Sequence, residues 1–413
     1  MTDRWLTIIG IGEDGMTGLS AAARRAIEGA EVVIGGDRHH DLAPNITADR
    51  LRWPHPFDAL IGELLARRAQ RPVVLATGDP LWFSVGARIA TSIPADEITF
   101  HPQLSAFQYS ACRMGWSLAD CETVTAHGRP AEQVTPLFWH GARILALTAG
   151  AETAGTMARL LNDRGFGAST LTVLGNLGGP NESRSQGRAS DWADSDPGAD
   201  LPSFNTLAIE CSGHPANPLP QLPGLSDQAF THDGKLTKRE VRALTLARLM
   251  PVRREVLWDI GTGCGSVAVE WMRTARDASA VGIDPHVGRL DMARRNAMAL
   301  GAPRLHLIEG AAPEALESIP MPKGTQVDLR RPDAVFIGGG LSQSVFSACW
   351  ASLQPGGRLV ANAVTLESEA ILLDLFAEHG GDLTRIAVQR ADPVGNLTGW
   401  RPAMPVTQWA ILK

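Results

Sequence analysis

Asp259-Ile260-Gly261-Thr262-Gly263-Cys264-Gly265 closes an apolar run that begins at Val256 and leads into an amphipathic stretch over residues 266–273. Glycines let a backbone turn sharply and approach a ligand closely. About twenty residues later, Val281-Gly282-Ile283-Asp284 ends the next apolar run on a carboxylate, which stands where it can accept both hydroxyls of a ribose. Strand, glycine loop, helix and acidic partner together predict a nucleoside-type cofactor at the carboxyl edge of a doubly wound sheet. The loop reads G-x-G-x-G, and Ser266 stands where a dinucleotide site carries its last glycine.

Outward from this loop, short apolar runs alternate with amphipathic stretches in both directions. Strands are expected at 7–9, 31–34, 73–76, 98–100, 144–147 and 171–174, with helices at 59–69 and 154–163. Further strands are expected at 256–259, 280–283, 305–308, 334–337 and 358–361. That alternation predicts an α/β protein with mostly parallel strands. Residues 178–200 are polar and rich in Ser, Gly and Asp, and read as a loop before a strand at 204–210. Residues 211–225 carry Pro215, Pro218, Pro220 and Pro223, and prolines at that density block helix and ladder alike. The expected domains are therefore 1–211 and 225–413.

Composition bounds the function. The chain has 413 residues, 44% hydrophobic and 20% charged, with a net charge of −6. This is a globular composition, and it lacks the basic surface that nucleic acid requires. Five scattered cysteines form no C-x-x-C pair or metal spacing, which suits a reducing cytoplasm. No apolar run spans a bilayer, and residues 6–9 run into Gly10, Gly12, Glu13 and Asp14 as a strand and glycine turn rather than a signal peptide. His39-His40-Asp41 has no companion cluster, so it reads as a polar loop and not as a metal site. Four lysines, Lys235, Lys238, Lys323 and Lys413, stand against many arginines. Arginine forks suit carboxylates, but composition alone does not separate that from base usage.

The second half carries a further signature. Thr237-Lys238-Arg239-Glu240 has capping-box spacing ahead of a helix with Val241, Leu244 and Ala247 on one face. The D-x-G-x-G-x-G loop, Asp284 and Glu309-Gly310-Ala311-Ala312 resemble the class I, Rossmann-like methyltransferases. Asp233-Gly234-Lys235-Leu236-Thr237-Lys238-Arg239-Glu240, Phe336-Ile337-Gly338-Gly339-Gly340 and Ala361-Asn362-Ala363-Val364-Thr365-Leu366-Glu367-Ser368 resemble the precorrin C15-methyltransferase (decarboxylating) family. The resemblance covers about residues 224–413. It implies S-adenosylmethionine held by Thr237, Gly261, Thr262, Gly263, Cys264, Gly265, Asp284, Gly310 and Ala311. The resemblance does not identify the general acid; Glu367, a carboxylate at an expected helix start, is the candidate read from the residues.

In the first half, Ile8-Ile9-Gly10-Ile11-Gly12-Glu13-Asp14-Gly15 also follows a strand, but Gly35-Gly36-Asp37 supplies no ribose acid after the second one. Ala76-Thr77-Gly78-Asp79-Pro80-Leu81-Trp82-Phe83, His101-Pro102-Gln103-Leu104-Ser105-Ala106-Phe107-Gln108 and Ala126-His127-Gly128-Arg129 form an ordered set. The set resembles the class III, tetrapyrrole methylase family, in its precorrin C5-methyltransferase branch, over about residues 2–211. It implies a two-lobed α/β domain with a second S-adenosylmethionine near Gly10, Gly12, Gly78, Asp79, Pro80, Ser105 and Ala106. The family's G-D-P-x-F-Y-G reads here as Gly78-Asp79-Pro80-Leu81-Trp82-Phe83-Ser84, so the turn carries over better than the aromatic pair.

A fusion of the two resembles the bifunctional C5,15 family of cobalamin synthesis. It implies that precorrin-6B is methylated at C5 and C15 and loses carbon dioxide from the ring C acetate, giving precorrin-8. The expected partners are this precorrin and a possible second copy of the chain, with no nucleic acid and no membrane. Methylation of another small metabolite and non-catalytic carriage of a tetrapyrrole are the alternative readings, and intact glycines in both loops argue against the second.

Overall fold

The computed structural model describes residues 4–195, 197–321 and 327–413. The chain divides into two compact units, one of Met1–Ala131 with Leu137–Ala216, the other of Glu132–Pro136 with Asn217–Lys413.

The first unit holds two sheets. Strands β1 (Leu6–Ile11), β2 (Val32–Gly35), β3 (Asp49–Arg52), β4 (Val73–Thr77) and β5 (Ile98–His101) form a parallel sheet in the order β3-β2-β4-β1-β5. Ile8, Ile34 and Val74 pack on one face and Ile9, Val33 and Leu75 on the other. Burial on both faces is why these strands read as continuous apolar runs. Strand β3, Asp-Arg-Leu-Arg at the sheet edge, keeps only Leu51 partly buried and carries no such run.

The second sheet contains β6 (Glu122–Thr125), β7 (Arg143–Leu147), β8 (Thr170–Gly175), β9 (Ser183–Arg188) and β10 (Asn205–Glu210), in the order β6-β7-β10-β8-β9. Only β6 and β7 run parallel, so the expected parallel character fails in this lobe. Residues 178–200 are not a loop: β9 pairs along β8 from Thr170↔Arg188 to Gly175↔Ser183, and the helix Ala189–Asp194 follows. Its Ser-Arg-Ser-Gln-Gly-Arg side chains face mostly outward from an edge, so no apolar alternation marks it.

The second unit is a seven-stranded sheet of β11 (Val256–Ile260), β12 (Ser279–Asp284), β13 (His306–Glu309), β14 (Ala334–Ile337), β15 (Arg358–Ala363), β16 (Asp382–Ile386) and β19 (Val406–Leu412), ordered β13-β12-β11-β14-β15-β19-β16. The first five run parallel, and β19 inserts antiparallel between β15 and β16. Strands β17 (Gln389–Val394) and β18 (Leu397–Pro402) pair only with each other. One cluster packs Trp258, Val281, Val335 and Trp409, and another packs Leu257, Ala280, Phe336 and Trp271. These sheets give the expected α/β class, with a two-lobed first unit and a Rossmann-like second one.

Two expectations change here. The helix Arg239–Leu249 starts one residue late, with Lys238 at its cap and no capping side-chain bond, so the Thr237–Glu240 capping box does not form. Its buried face is Val241, Arg242, Thr245, Leu246 and Leu249, while Leu244 is exposed. The proline-rich segment is also more anchored than its composition predicts. The carbonyls of Leu219 and Pro220 accept from Arg273, and that of Gln221 accepts from Thr274. Among the described residues, no helix is long and apolar enough to cross a membrane.

Candidate functional site

In the second unit the glycine loop leaves the carboxyl end of β11 and enters the helix Ser266–Thr274. Gly261, Gly263 and Gly265 have φ of 70°, 57° and 78°, a region L side chains rarely adopt. A Cβ on Gly261 would stand 2.7 Å from the Gly339 nitrogen, so this glycine is also required by close approach to the β14 loop. A Cβ on Gly263 would meet nothing within 4 Å, and the space over the loop stays open.

Two buried carboxylates frame that space. Asp284 Oδ2 accepts from Gly263 N at 3.0 Å and Oδ1 accepts from His286 N at 2.9 Å. A carboxylate has about four lone-pair sites, which leaves Asp284 capacity for ribose hydroxyls. Asp259 Oδ2 accepts from Thr262 Oγ1 at 2.8 Å and Ala268 N at 3.1 Å, while its buried Oδ1 has no hydrogen-bond partner among the described residues. Burial pushes the Asp259 carboxyl up to about 7. An orphaned buried acceptor beside an open glycine loop fits a cationic group of a bound cofactor.

The other expected residues gather at the same edge. Gly310 N donates to the Asp284 carbonyl at 3.2 Å, which sets Gly310 and Ala311 beside Asp284. Cys264 is buried and its thiol is pushed up to about 11, so it packs rather than reacts. Thr237 lies on the wall of a cavity of about 710 Å³. Gly338, at the end of β14, borders that cavity and donates to the Ile260 carbonyl at 2.9 Å, which ties the cavity to the glycine loop.

The cavity has two characters. Lys235, Lys238, Arg390 and Arg401 supply cations, with Glu240 and Asp392 among them. Arg390 pairs with Glu240 and Arg401 pairs with Asp392, and the guanidinium of Arg390 holds the Glu240 carboxyl below the usual range. Val241, Ile386 and Val406 pack together with Val388 as an apolar wall. Glu367 is exposed in the first turn of the helix Leu366–His379 and does not line the cavity.

Behind the cavity lies a network that local sequence does not reveal. Arg242 is fully buried, and its Nε donates to Glu270 Oε1 at 2.6 Å. Its other nitrogens reach Asp227 Oδ1 at 3.1 Å and the carbonyls of Thr237 and Leu225. Glu270 also accepts from Gly224 N at 2.6 Å and Leu225 N at 3.0 Å. A buried charge is tolerated only when paired and hydrogen-bonded, and both partners here are. Arg390 and Arg401 were equally invisible: they sit on a late hairpin with no local motif.

In the first unit, the loops after β1, β4 and β5 converge. Gly78 N donates to the Ile11 carbonyl at 3.0 Å. A Cβ on Gly10 would stand 2.0 Å from the Gly78 oxygen, and one on Gly78 would stand 3.1 Å from Ser105 Cα. Gly10, Gly78 and Ser105 are therefore in direct contact. Asp79 Oδ1 accepts from Leu81 N at 2.7 Å and the Pro80 carbonyl accepts from Ala87 N at 3.1 Å, so both build the turn. Ser105 caps the helix Ala106–Met114 with Gln108. Gly12, Gly78 and Ala106 line a cleft of about 30 Å³, while Gly10, Asp79, Pro80 and Ser105 do not line it. That volume is about the share of one water. Arg38 also lines the cleft, stacked 3.6 Å from the centre of the Phe204 ring and paired with Glu13.

His39-His40-Asp41 lies in a short helix, Asp37–Leu42, rather than a loop. His39 Nδ1 accepts from Gly36 N at 3.0 Å, and burial followed by Arg38 pushes the imidazole down to about 4. Among the described residues, no three His, Cys, Asp or Glu side chains gather to hold a metal ion.

Comparison with known proteins matches residues 5–193 to the tetrapyrrole (corrin/porphyrin) methylases and residues 228–413 to the precorrin methyltransferase domain. A precorrin-6Y C(5,15)-methyltransferase (decarboxylating) of Sinorhizobium sp. is 45% identical over 412 residues, covering 99% of this chain and 96% of that one. Its namesake from Mycobacterium tuberculosis (strain CDC 1551 / Oshkosh) is 37% identical over 411 residues, covering 99% and 100%. The crystal structure of the C-terminal domain of the Rhodobacter capsulatus precorrin-6Y C5,15-methyltransferase is 45% identical, covers 47% of this chain and 99% of that one, and gives a TM-score of 0.42.

Proposed function

Since the chain belongs to the precorrin-6Y C(5,15)-methyltransferase (decarboxylating) family, we propose that it binds two S-adenosylmethionines, one in each unit, and that the second unit performs both C15 methylation and decarboxylation. Its reaction is S-adenosylmethionine-dependent methylation of a precorrin with loss of carbon dioxide, in cobalamin synthesis. The observation that supports the division is the cavity beside the glycine loop, which joins a cationic rim to an apolar wall.

The bound cofactor supplies an electrophilic methyl group on sulfur. The protein's part is to hold a nucleophilic meso carbon in line with it in a dry site. Asp284 and Gly310–Ala311 would hold the nucleoside, and the buried Asp259 carboxylate would offset its positive charge. On the substrate side, Arg390 and Arg401 pair with peripheral carboxylates that stay. The acetate that leaves lies along Val241, Ile386 and Val406, where an unpaired carboxylate is costly and neutral carbon dioxide is not. Its carbon–carbon bond breaks, the pair enters the conjugated imine system, and the methylene then takes a proton. Glu367 stands off the cavity, and Glu240 and Asp392 are paired with arginines. Lys235 and Lys238 are the lining groups with a proton to give.

In the first unit the cleft must widen before a nucleoside fits it. Gly12, Gly78 and Ala106 would then border the C5 methylation site.

Mass spectrometry tests this reading. Residues 217–413 with precorrin-6Y and S-adenosylmethionine should give a product heavier by one methyl and lighter by one carbon dioxide. A folded, cofactor-binding second unit that leaves the acetate intact refutes it.

A further inference from the structure

We propose that Arg390 recognises one peripheral carboxylate of the macrocycle and that Asp227 and Arg242 are the positioning residues that hold it in register; this rests on reading the cavity as the substrate site. Arg390 lies on β17, whose only strand partner among the described residues is β18. An isolated two-stranded hairpin is marginal, and an exposed ion pair alone fixes little. The anchor is a shared carboxylate. Asp227 Oδ1 accepts from Arg242 Nη1 at 3.1 Å, and Oδ2 faces Arg390 Nη2 at 3.5 Å. Arg242 is immobile because Glu270 and the carbonyls of Thr237 and Leu225 take its other nitrogens. Asp227 therefore presents a fixed oxygen to Arg390.

Charge counting picks out the exchangeable partner. Arg242 and Arg390 balance Glu270 and Asp227, which leaves Glu240 as the surplus acid on Arg390. The Glu240 side chain is 42% exposed and can turn to water, whereas Asp227 is 18% exposed and tied from behind. A substrate carboxylate entering the cavity takes the place of Glu240 and keeps Asp227 as the orienting group. Arg401 has only Asp392, and their side chains are 76% and 39% exposed. That pair lacks a buried anchor and forms a looser rim.

The test is steady-state kinetics of the full chain with precorrin-6Y. Arg390→Gln should raise KM about tenfold to a hundredfold, the scale of one hydrogen bond to a charged group, with kcat within about twofold. The Kd for S-adenosylmethionine should not move. Asp227→Asn should raise KM severalfold alone, yet add nothing to Arg390→Gln, because it acts through that arginine. A full additive loss in the double variant marks a merely structural Asp227 and overturns the positioning role. Unchanged KM in Arg390→Gln overturns the recognition role. Val364→Trp, which crowds one wall of the cavity, then tells the two readings apart. If it raises KM, only Arg390 is misassigned; if it does not, the cavity is not the substrate site and both fall.

Discussion

Gly10→Ala should abolish one cofactor site and leave the other. The added Cβ would lie 2.0 Å from the Gly78 carbonyl oxygen and 2.9 Å from Gln103 Cβ. Carbon–oxygen contacts settle near 3.3 Å, so the Gly78 peptide must retreat by about 1.3 Å. It has little freedom to do so: Gly78 N is bonded to the Ile11 carbonyl, its φ is 60°, and Ser105 stands behind it. The shift therefore spreads into Asp79-Pro80 and the Ser105 turn. A misplacement of about 1 Å costs roughly a hundredfold in rate. The overpacking itself costs about 1–3 kcal/mol, or roughly 2–12 °C in the melting of the first unit, which leaves it folded at assay temperature if its stability is ordinary. Calorimetric titration with S-adenosylmethionine should fall from two bound per chain to one, with the remaining Kd unchanged. Mass spectrometry should show a product that has lost carbon dioxide and gained one methyl. Two sites of undiminished affinity, or lost decarboxylation with C5 methylation intact, would refute the assignment of the cleft.

Asp284→Ala should weaken the second-unit site by roughly tenfold to a few hundredfold for each hydroxyl bond lost, at about 1.5–3 kcal/mol each, and unchanged binding there would mean the loop holds something else. The Asp259 carboxyl holds its proton more tightly folded than unfolded, so its contribution to stability is complete below about 3.8 and is lost as pH rises toward about 7. Urea midpoints of wild type should therefore fall relative to Asp259→Asn between those pH values and stay parallel above them; parallel curves throughout would sink the idea. A second unit cut at residue 217 should fold alone, while one cut at 226 loses the Gly224 and Leu225 donors to Glu270 and the Leu219 and Pro220 acceptors of Arg273. Equal melting temperatures for the two fragments would show that the proline-rich segment is a passive linker.

The sequence by itself determined the parallel strands and the glycine turns. A strand buried on both faces must be apolar throughout, and a turn at φ near 60–80° selects glycine, so β1, β4, β11 and β14 and the loops after them are local facts. Asp284 was legible for the same reason, because the parallel register sets the end of β12 beside the loop after β11. Edge strands were not legible: β3 and β9 are held by ladder bonds to one neighbour and show mostly polar side chains. The face of the helix Arg239–Leu249 was misread because an arginine belongs to it. Arg242 is buried only since Glu270, 28 residues on, and Asp227, 15 residues back, meet it there. The cationic rim of the cavity is further still from local reading, because Lys235 and Arg390 come from distant segments. Charge pairing across such separations is a property of the folded chain, since no residue in the sequence states which opposite charge it will meet.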